Sequence, residues 1–122
     1  MPTKGNLTTA LGRVDRTEDP HIIATVNDTA VKVVKLLGDF IWHHHEHEDE
    51  MFLVLDGRLI MGLRTGDVEM GPGDYIVIPR GVEHQPRAPQ GCSILLIEPA
   101  TTLNTGNVEN ELTKRELKSL EA

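Results

Sequence analysis

The density of turn signals between its apolar runs restricts the fold of this chain more than any other feature. From His21 to Pro99, short stretches rich in Val, Ile and Leu alternate with Asn, Asp, Gly and Pro. "HIIATV" runs into Asn27-Asp28, "AVKVVKLL" into Gly38-Asp39, and "MFLVL" into Asp56-Gly57. "RLIMGLR" ends at Thr65-Gly66-Asp67, "VEM" at Gly71-Pro72-Gly73-Asp74, and "YIVIP" at Arg80-Gly81. "EHQPR" and "CSILLIE" are separated by Pro89-Gln90-Gly91, read as a further turn. Asp-Gly and similar pairs favour hairpins, because Gly, Asn and Asp reach the backbone angles that tight turns require. A parallel crossover needs about a dozen residues or more, and these intervals have no room for one. About eight or nine short antiparallel strands in one small domain make an all-β sandwich or barrel, which covers both sheet faces and limits open edges.

With 122 residues the chain has room for one core and not for two comfortable ones. Residues 1–20 show neither period and read as an irregular N-terminal arm, residues 21–100 as the β domain, and residues 101–122 as a tail. In that tail Thr113 stands three before Glu116, a capping box with Leu117 and Leu120 on one side, so a short helix is expected there. Twelve basic against nineteen acidic residues give a formal charge of −7, which opposes binding to nucleic acid or to an anionic membrane. No apolar run approaches the ~18 residues that span a bilayer. Cys92 stands alone and cannot form an internal disulfide, and no basic-then-apolar leader opens the sequence, so a cytoplasmic protein is expected. Runs such as "ILLI" do not alternate cleanly and imply strands with both faces partly covered. A homodimer that buries part of the outer face is therefore expected.

The stretch "WHHHEHEDE", residues 42–50, holds four of the six histidines and four acidic residues. If "FIWHHH" is a strand, His43 and His45 share one face and His44 the other. Residues two apart on a strand lie ~6.6 Å apart, from which two imidazoles converge on one ion through bonds of ~2.1 Å. "EHED" is poor strand material, so the chain turns there and re-enters a strand near Glu50, with Phe52 and Val54 on the face of Glu50. Asp49 and Glu50 are both candidates for a carboxylate ligand, and parity does not choose between them. His47 falls in the turn. His84, in "PRGVEHQP", follows a turn and opens a short strand, a position from which it can reach ligands on a neighbour. Cys92, with no base beside it, reads as a small buried hydrophobe.

These residues match a family pattern. The segment "GDFIWHHHEHEDEMFLVLDG" resembles the first motif of the cupins, with Gly38, His43, His45, Glu50 and Gly57 at its key positions. Gly38 and His43 are separated by four residues where the family has five. The segment "GDYIVIPRGVEH" resembles the second motif through Gly73, Pro79, Gly81 and His84, with Ala88 where the family often has Asn. The likeness covers roughly residues 30–100, and its details are similar to small single-domain cupins of the type named mannose-6-phosphate isomerase-like. The resemblance implies a double-stranded β-helix, the jelly-roll barrel. It also implies a metal site of His43, His45, Glu50 and His84, selecting Glu50 over Asp49.

Three imidazoles and a carboxylate suit one divalent transition metal (Mn, Fe, Co, Ni, Cu or Zn) and are poor for Ca or Mg. Acidification through about pH 6 is expected to release such an ion, since imidazole binds only when neutral. The function expected is oxygenase- or isomerase-type chemistry on a small organic substrate. The alternative is a non-catalytic module that binds a metal and a small ligand, as a sensor or store.

Overall fold

The computed structural model describes residues 1–121. Among them the chain forms one short helix, α1 (Leu7–Gly12), and eight strands. These are β1 (His21–Val26), β2 (Thr29–Asp39), β3 (Glu50–Gly57), β4 (Leu59–Leu63), β5 (Gly66–Met70), β6 (Tyr75–Ile78), β7 (His84–Pro99) and β8 (Lys118–Ser119). No helix among the described residues is long and apolar enough to cross a membrane.

Strand β7 organises the molecule, because it pairs antiparallel with β2, β3 and β4. Its first part, His84 to Arg87, lies against β4, and its later part, Cys92 to Ile97, against β3. Strand β2 follows it on the other edge along most of its length. One strand with three partners cannot lie in a flat sheet, and the result is the jelly-roll barrel, completed by β1 on β2, β5 on β4 and β6 on β3. Pro89-Gln90-Gly91, expected as a turn between two strands, is instead a bend within this single strand of 16 residues. Gly91 takes φ +89° there, and the register against β2 slips between Leu36 and Gly38. A strand that changes partners midway needs such an irregularity, and a Gly supplies it.

Burial alternates along β3 and along the second half of β7, so Phe52, Val54, Ile94 and Leu96 point inward against Val34 and Leu36 of β2. Leu59 and Met61 of β4 are completely buried in this core. Each fully buried side chain of this size contributes on the order of 1.5–3 kcal/mol. The turn between β3 and β4 depends on Gly57, at φ +83°, where an added Cβ would lie 2.5 Å from the Gly91 carbonyl oxygen. Gly57→Ala therefore combines backbone strain with a clash against the bend of β7. We expect it to destabilise the fold by about 2–4 kcal/mol in urea unfolding.

The N-terminal arm has more order than its polarity suggests. Asn6 caps α1 by accepting a hydrogen bond from the Thr9 N–H (3.1 Å), and Val14 beyond it is buried. Lys35 donates to the Val14 carbonyl (2.7 Å), and the Leu37 N–H donates to the Glu18 carboxylate (3.1 Å). The helix expected after Thr113 does not form. The Thr113 hydroxyl bonds to that of Thr105 (2.6 Å) and accepts from the Asn110 N–H (3.1 Å). Asn104 binds the Leu112 carbonyl and the Lys114 N–H, each at 2.8 Å. Such side-chain bonds compete with the helix for the same backbone groups. Lys118 and Ser119 instead add a short parallel strand beside His21 and Ile22.

Candidate metal centre

The histidine run does not form the expected strand, yet it keeps an extended course because its backbone is held from outside. His43 makes an isolated bridge to His84: the His43 N–H donates to the His84 carbonyl (3.0 Å) and the reverse bond is 2.9 Å. The Gly81 N–H donates to the carbonyl of His45 (2.8 Å). Alternation survives, so His43 and His45 are buried at the barrel mouth while His44 lies half-buried on the other side. Glu50 opens β3 opposite Ile78 and turns inward in phase with Phe52 and Val54. His84, completely buried, opens β7.

The donor atoms of His43, His45, Glu50 and His84 lie within 4.8 Å of one another. Glu50 Oε1 is 3.2 Å from His84 Nε2 and 3.4 Å from His45 Nε2. The other nearby candidates are not part of the group. Asp49 is exposed, and its carboxylate accepts from the Arg80 backbone N–H (2.8 Å) and guanidinium (3.3 Å). His47 is exposed, and His44 turns its Nε2 to Glu46 (2.5 Å).

Two of the rings have their tautomers set by backbone carbonyls. His43 Nδ1 lies 2.9 Å from the Ile41 carbonyl and His84 Nδ1 lies 3.0 Å from that of Val82. A carbonyl only accepts, so Nδ1 carries the hydrogen in both, and in the neutral ring Nε2 presents a bare lone pair to the centre. His45 is buried with neither ring nitrogen hydrogen-bonded. Burial, and then the neighbouring His84, push His43 down to about 4, so that its ring is neutral at pH 7. Burial pushes Glu50 upward, but contact with Glu98 and the adjacent His45 and His84 rings outweighs it and holds the carboxyl well below its usual range. Converging imidazole lone pairs, an orphaned buried nitrogen and an ionised carboxylate fit a cation. The separations are close to the ~3–4.2 Å that bonds of about 2.1 Å impose between ligands of one ion.

Beside this group the barrel holds a half-open cavity of about 40 Å3, room for about three water molecules. Its wall is mostly apolar, with Val34, Phe40, Phe52, Ile94 and Leu96, and His43 and Glu50 reach into it. Glu98 lies on the same wall, buried, and its Oε1 accepts from Lys32 Nζ (2.9 Å), itself buried. Burial, followed by the charge of Glu50, raises Glu98 well above the usual carboxylate range, against the opposing pull of Lys32. Its other oxygen meets no donor from the described residues, and Glu98 contacts Glu50 instead. Of two facing carboxyl groups the one with the raised pKa holds a proton more readily, and here that is Glu98. Sequence reasoning missed both Glu98 and Lys32. The available signal was parity: Glu98 continues the inward phase of Ile94 and Leu96, and Lys32 sits between inward Ala30 and Val34.

A mouth-sited three-histidine, one-carboxylate cluster on a jelly-roll barrel is the arrangement of a small cupin. The cupin domain family matches residues 33–98, more than half of the chain, and the protein belongs to that family. It is 31% identical over 89 residues to the uncharacterised protein YdbB of Bacillus subtilis (strain 168), a span of 72% of this chain and 79% of that one. It is 45% identical over 47 residues to an acireductone dioxygenase of Rhodopseudomonas palustris (strain TIE-1). That match covers 35% of this chain and 28% of the enzyme. The crystal structure of a cupin-2 domain containing protein from Shewanella frigidimarina NCIMB 400 superposes with a TM-score of 0.77 at 38% identity. The superposition covers 78% of this chain and 93% of that one.

Proposed function

We propose that the chain binds one divalent transition-metal ion through His43, His45, Glu50 and His84 and acts on a small organic molecule held in the adjoining cavity. The observation that carries this reading is the convergence of four buried donor groups, one of them an imidazole with no partner for either nitrogen. Mn, Fe, Co, Ni, Cu and Zn suit these donors. When bound, such an ion supplies Lewis acidity or, if redox-active, oxygenase chemistry. The chain's own groups orient the donors. The Ile41 and Val82 carbonyls hold two rings at the right tautomer, Phe52 packs edge-on against His84 with centroids 5.9 Å apart, and mostly apolar side chains line the cavity. Similarity to a protein named as a dioxygenase supports the oxygenase-type form of this reading.

One observation favours a non-catalytic binding module. The further carboxyls on the cavity wall each give one oxygen to the protein's own groups, Glu98 to Lys32 and Glu18 to the Leu37 N–H. Elemental analysis of untagged protein distinguishes the readings when followed by reconstitution with each of the six metals and incubation with a mixed pool of small metabolites. We expect one equivalent of metal per chain and the metal-dependent disappearance of at least one compound by mass spectrometry. Retention of one unaltered compound under every metal supports the binding module, and failure to take up any metal overturns both.

We also propose a homodimer. Among the described residues strand β6 pairs only with β3, and its outward residues Tyr75 and Val77 are 67% and 53% exposed. A second copy covering this edge would remove that apolar surface from water. Light scattering should give twice the 13.5 kDa chain mass; a monomer mass throughout the micromolar range rules the dimer out.

A further inference from the structure

The three residues of the histidine run are held by three different parts of the chain. His43 is bridged to His84 at the start of β7, and the carbonyl of His45 accepts from Gly81. Between them His44 supplies no donor to the cluster, yet both of its backbone groups are engaged by one residue of the C-terminal segment. The His44 N–H donates to Asn107 Oδ1 (2.8 Å), and the Asn107 N–H donates to the His44 carbonyl (3.0 Å). The preceding residue, Gly106, is at φ +58°. A Cβ there would overlap the His44 carbonyl oxygen and lie 3.0 Å from Cδ2 of the His43 ring. This close approach is anchored from below by Thr105, which is completely buried and hydrogen-bonded to Thr113.

We propose that Gly106 and Asn107 are positioning residues for the ion site: they fix the peptide of His44 and thereby the relative placement of the His43 and His45 rings. No strand ladder does this, since the run has only one isolated bridge. The His44 N–H belongs to the peptide that joins it to His43. The carbonyl of that same peptide accepts from the His84 N–H, so losing the Asn107 acceptor leaves it held at one end only, free to tilt and carry the His43 ring with it. Gly106 permits the contact, because any side chain at that position pushes against the His44 carbonyl and the His43 ring together. The segment therefore acts on the ion through the backbone of a residue that is not a ligand. The inference rests on the metal reading proposed above.

The test is titration of metal-free full-length protein with cobalt(II), whose visible spectrum reports the coordination shell, beside thermal melts of the same proteins without metal. Asn107→Ala should weaken cobalt binding about tenfold or more, in the range found for groups that orient ligands, and should alter the spectrum. Asn107→Asp keeps an acceptor for the His44 N–H and should restore both. Gly106→Ala should weaken binding at least as much as Asn107→Ala. Val14→Ala opens a small void under the N-terminal arm, away from the segment that holds His44, and should bind cobalt as the wild type does, even where its melting temperature falls. Wild-type affinity and spectrum in Asn107→Ala overturn the inference. So does a loss in Val14→Ala equal to that in Asn107→Ala, since that would mark a general packing effect. Should Gly106→Ala not fold, the Asn107 pair decides alone. A wild type that takes up no cobalt overturns the ion-site reading and this inference with it, whereas a wild type that binds and an unchanged Asn107→Ala overturn this inference only.

Discussion

Replacing any one of His43, His45, Glu50 or His84 by Ala is expected to lower metal affinity by more than about 100-fold, beyond the loss seen when only an orienting group is removed. Three remaining donors leave the ion with an open, hydrated shell. His44→Ala and His47→Ala should bind as the wild type does, because His44 is placed by its backbone and His47 is exposed. Competitive titration with a chelator measures each constant, and a His44 side-chain change that empties the site while His84→Ala leaves it full would falsify the ligand set. Proton competition follows the same geometry. His43 in the folded, metal-free protein takes its proton only near pH 4, against 6.5 for the ordinary imidazole. Ion release on acidification should accordingly extend below the pH of about 6 expected for free imidazole. The same depression has a stability consequence of defined sign. Above pH 6.5 His43 is neutral folded or unfolded. Between 6.5 and 4 the unfolded chain binds the proton and the folded chain does not, so metal-free protein loses up to about 3 kcal/mol as the pH falls through that window. Urea unfolding at pH 7 and pH 4.5, compared with a His43→Asn variant, measures that part of the acid sensitivity.

What could be read from the sequence divides along the range of the interactions involved. Strand positions were legible because turn chemistry is local, and Asn27-Asp28, Asp56-Gly57 and Gly66-Asp67 each lie where one strand gives way to the next. Pro89-Gln90-Gly91 carries the same local chemistry but serves a bend, since whether a Gly ends a strand or kinks it depends on how many partners the strand has. His43 and His45 share a face as parity required, although side-chain and backbone bonds from distant segments replace the ladder that parity assumed. The choice between Asp49 and Glu50 needed the resemblance to a family motif. In the structure Arg80, 31 residues away along the chain from Asp49, draws that carboxylate outward, while Glu50 turns in beside the histidines. The tail was misread as a helix because a capping box of four residues cannot disclose that Asn104 and Thr113 are already engaged. Lys32 and Glu98 were legible in principle. Each is a charged residue in the inward phase of a strand, and two such residues on neighbouring strands are more economically placed together than apart.

The buried trio of Lys32, Glu98 and Glu50 carries the second large expected effect. Taking Glu98 as the protonated member, the trio holds one positive charge and one negative charge, and the Glu98 carboxyl both accepts from Lys32 and donates to Glu50. A glutamine has the same two capacities in nearly the same shape: its oxygen accepts and its amide donates. Glu98→Gln should therefore unfold within about 1 kcal/mol of the wild type at pH 7. Glu98→Leu removes the acceptor and strands the Lys32 ammonium in the barrel, and Lys32→Met leaves the Glu50 carboxylate without its counter-charge. Breaking a buried pair by removing one partner costs about 3–5 kcal/mol, so each should be destabilised by roughly that amount in urea unfolding of the metal-free protein. A bound divalent ion supplies positive charge beside Glu50, so metal should rescue Lys32→Met more than Glu98→Leu, where the stranded group is itself a cation. If Glu98 were ionised, the order would change: glutamine would remove a charge that Lys32 needs, and Glu98→Gln would fall toward Glu98→Leu. The separation between those two variants, measured in one experiment, decides where the proton lies.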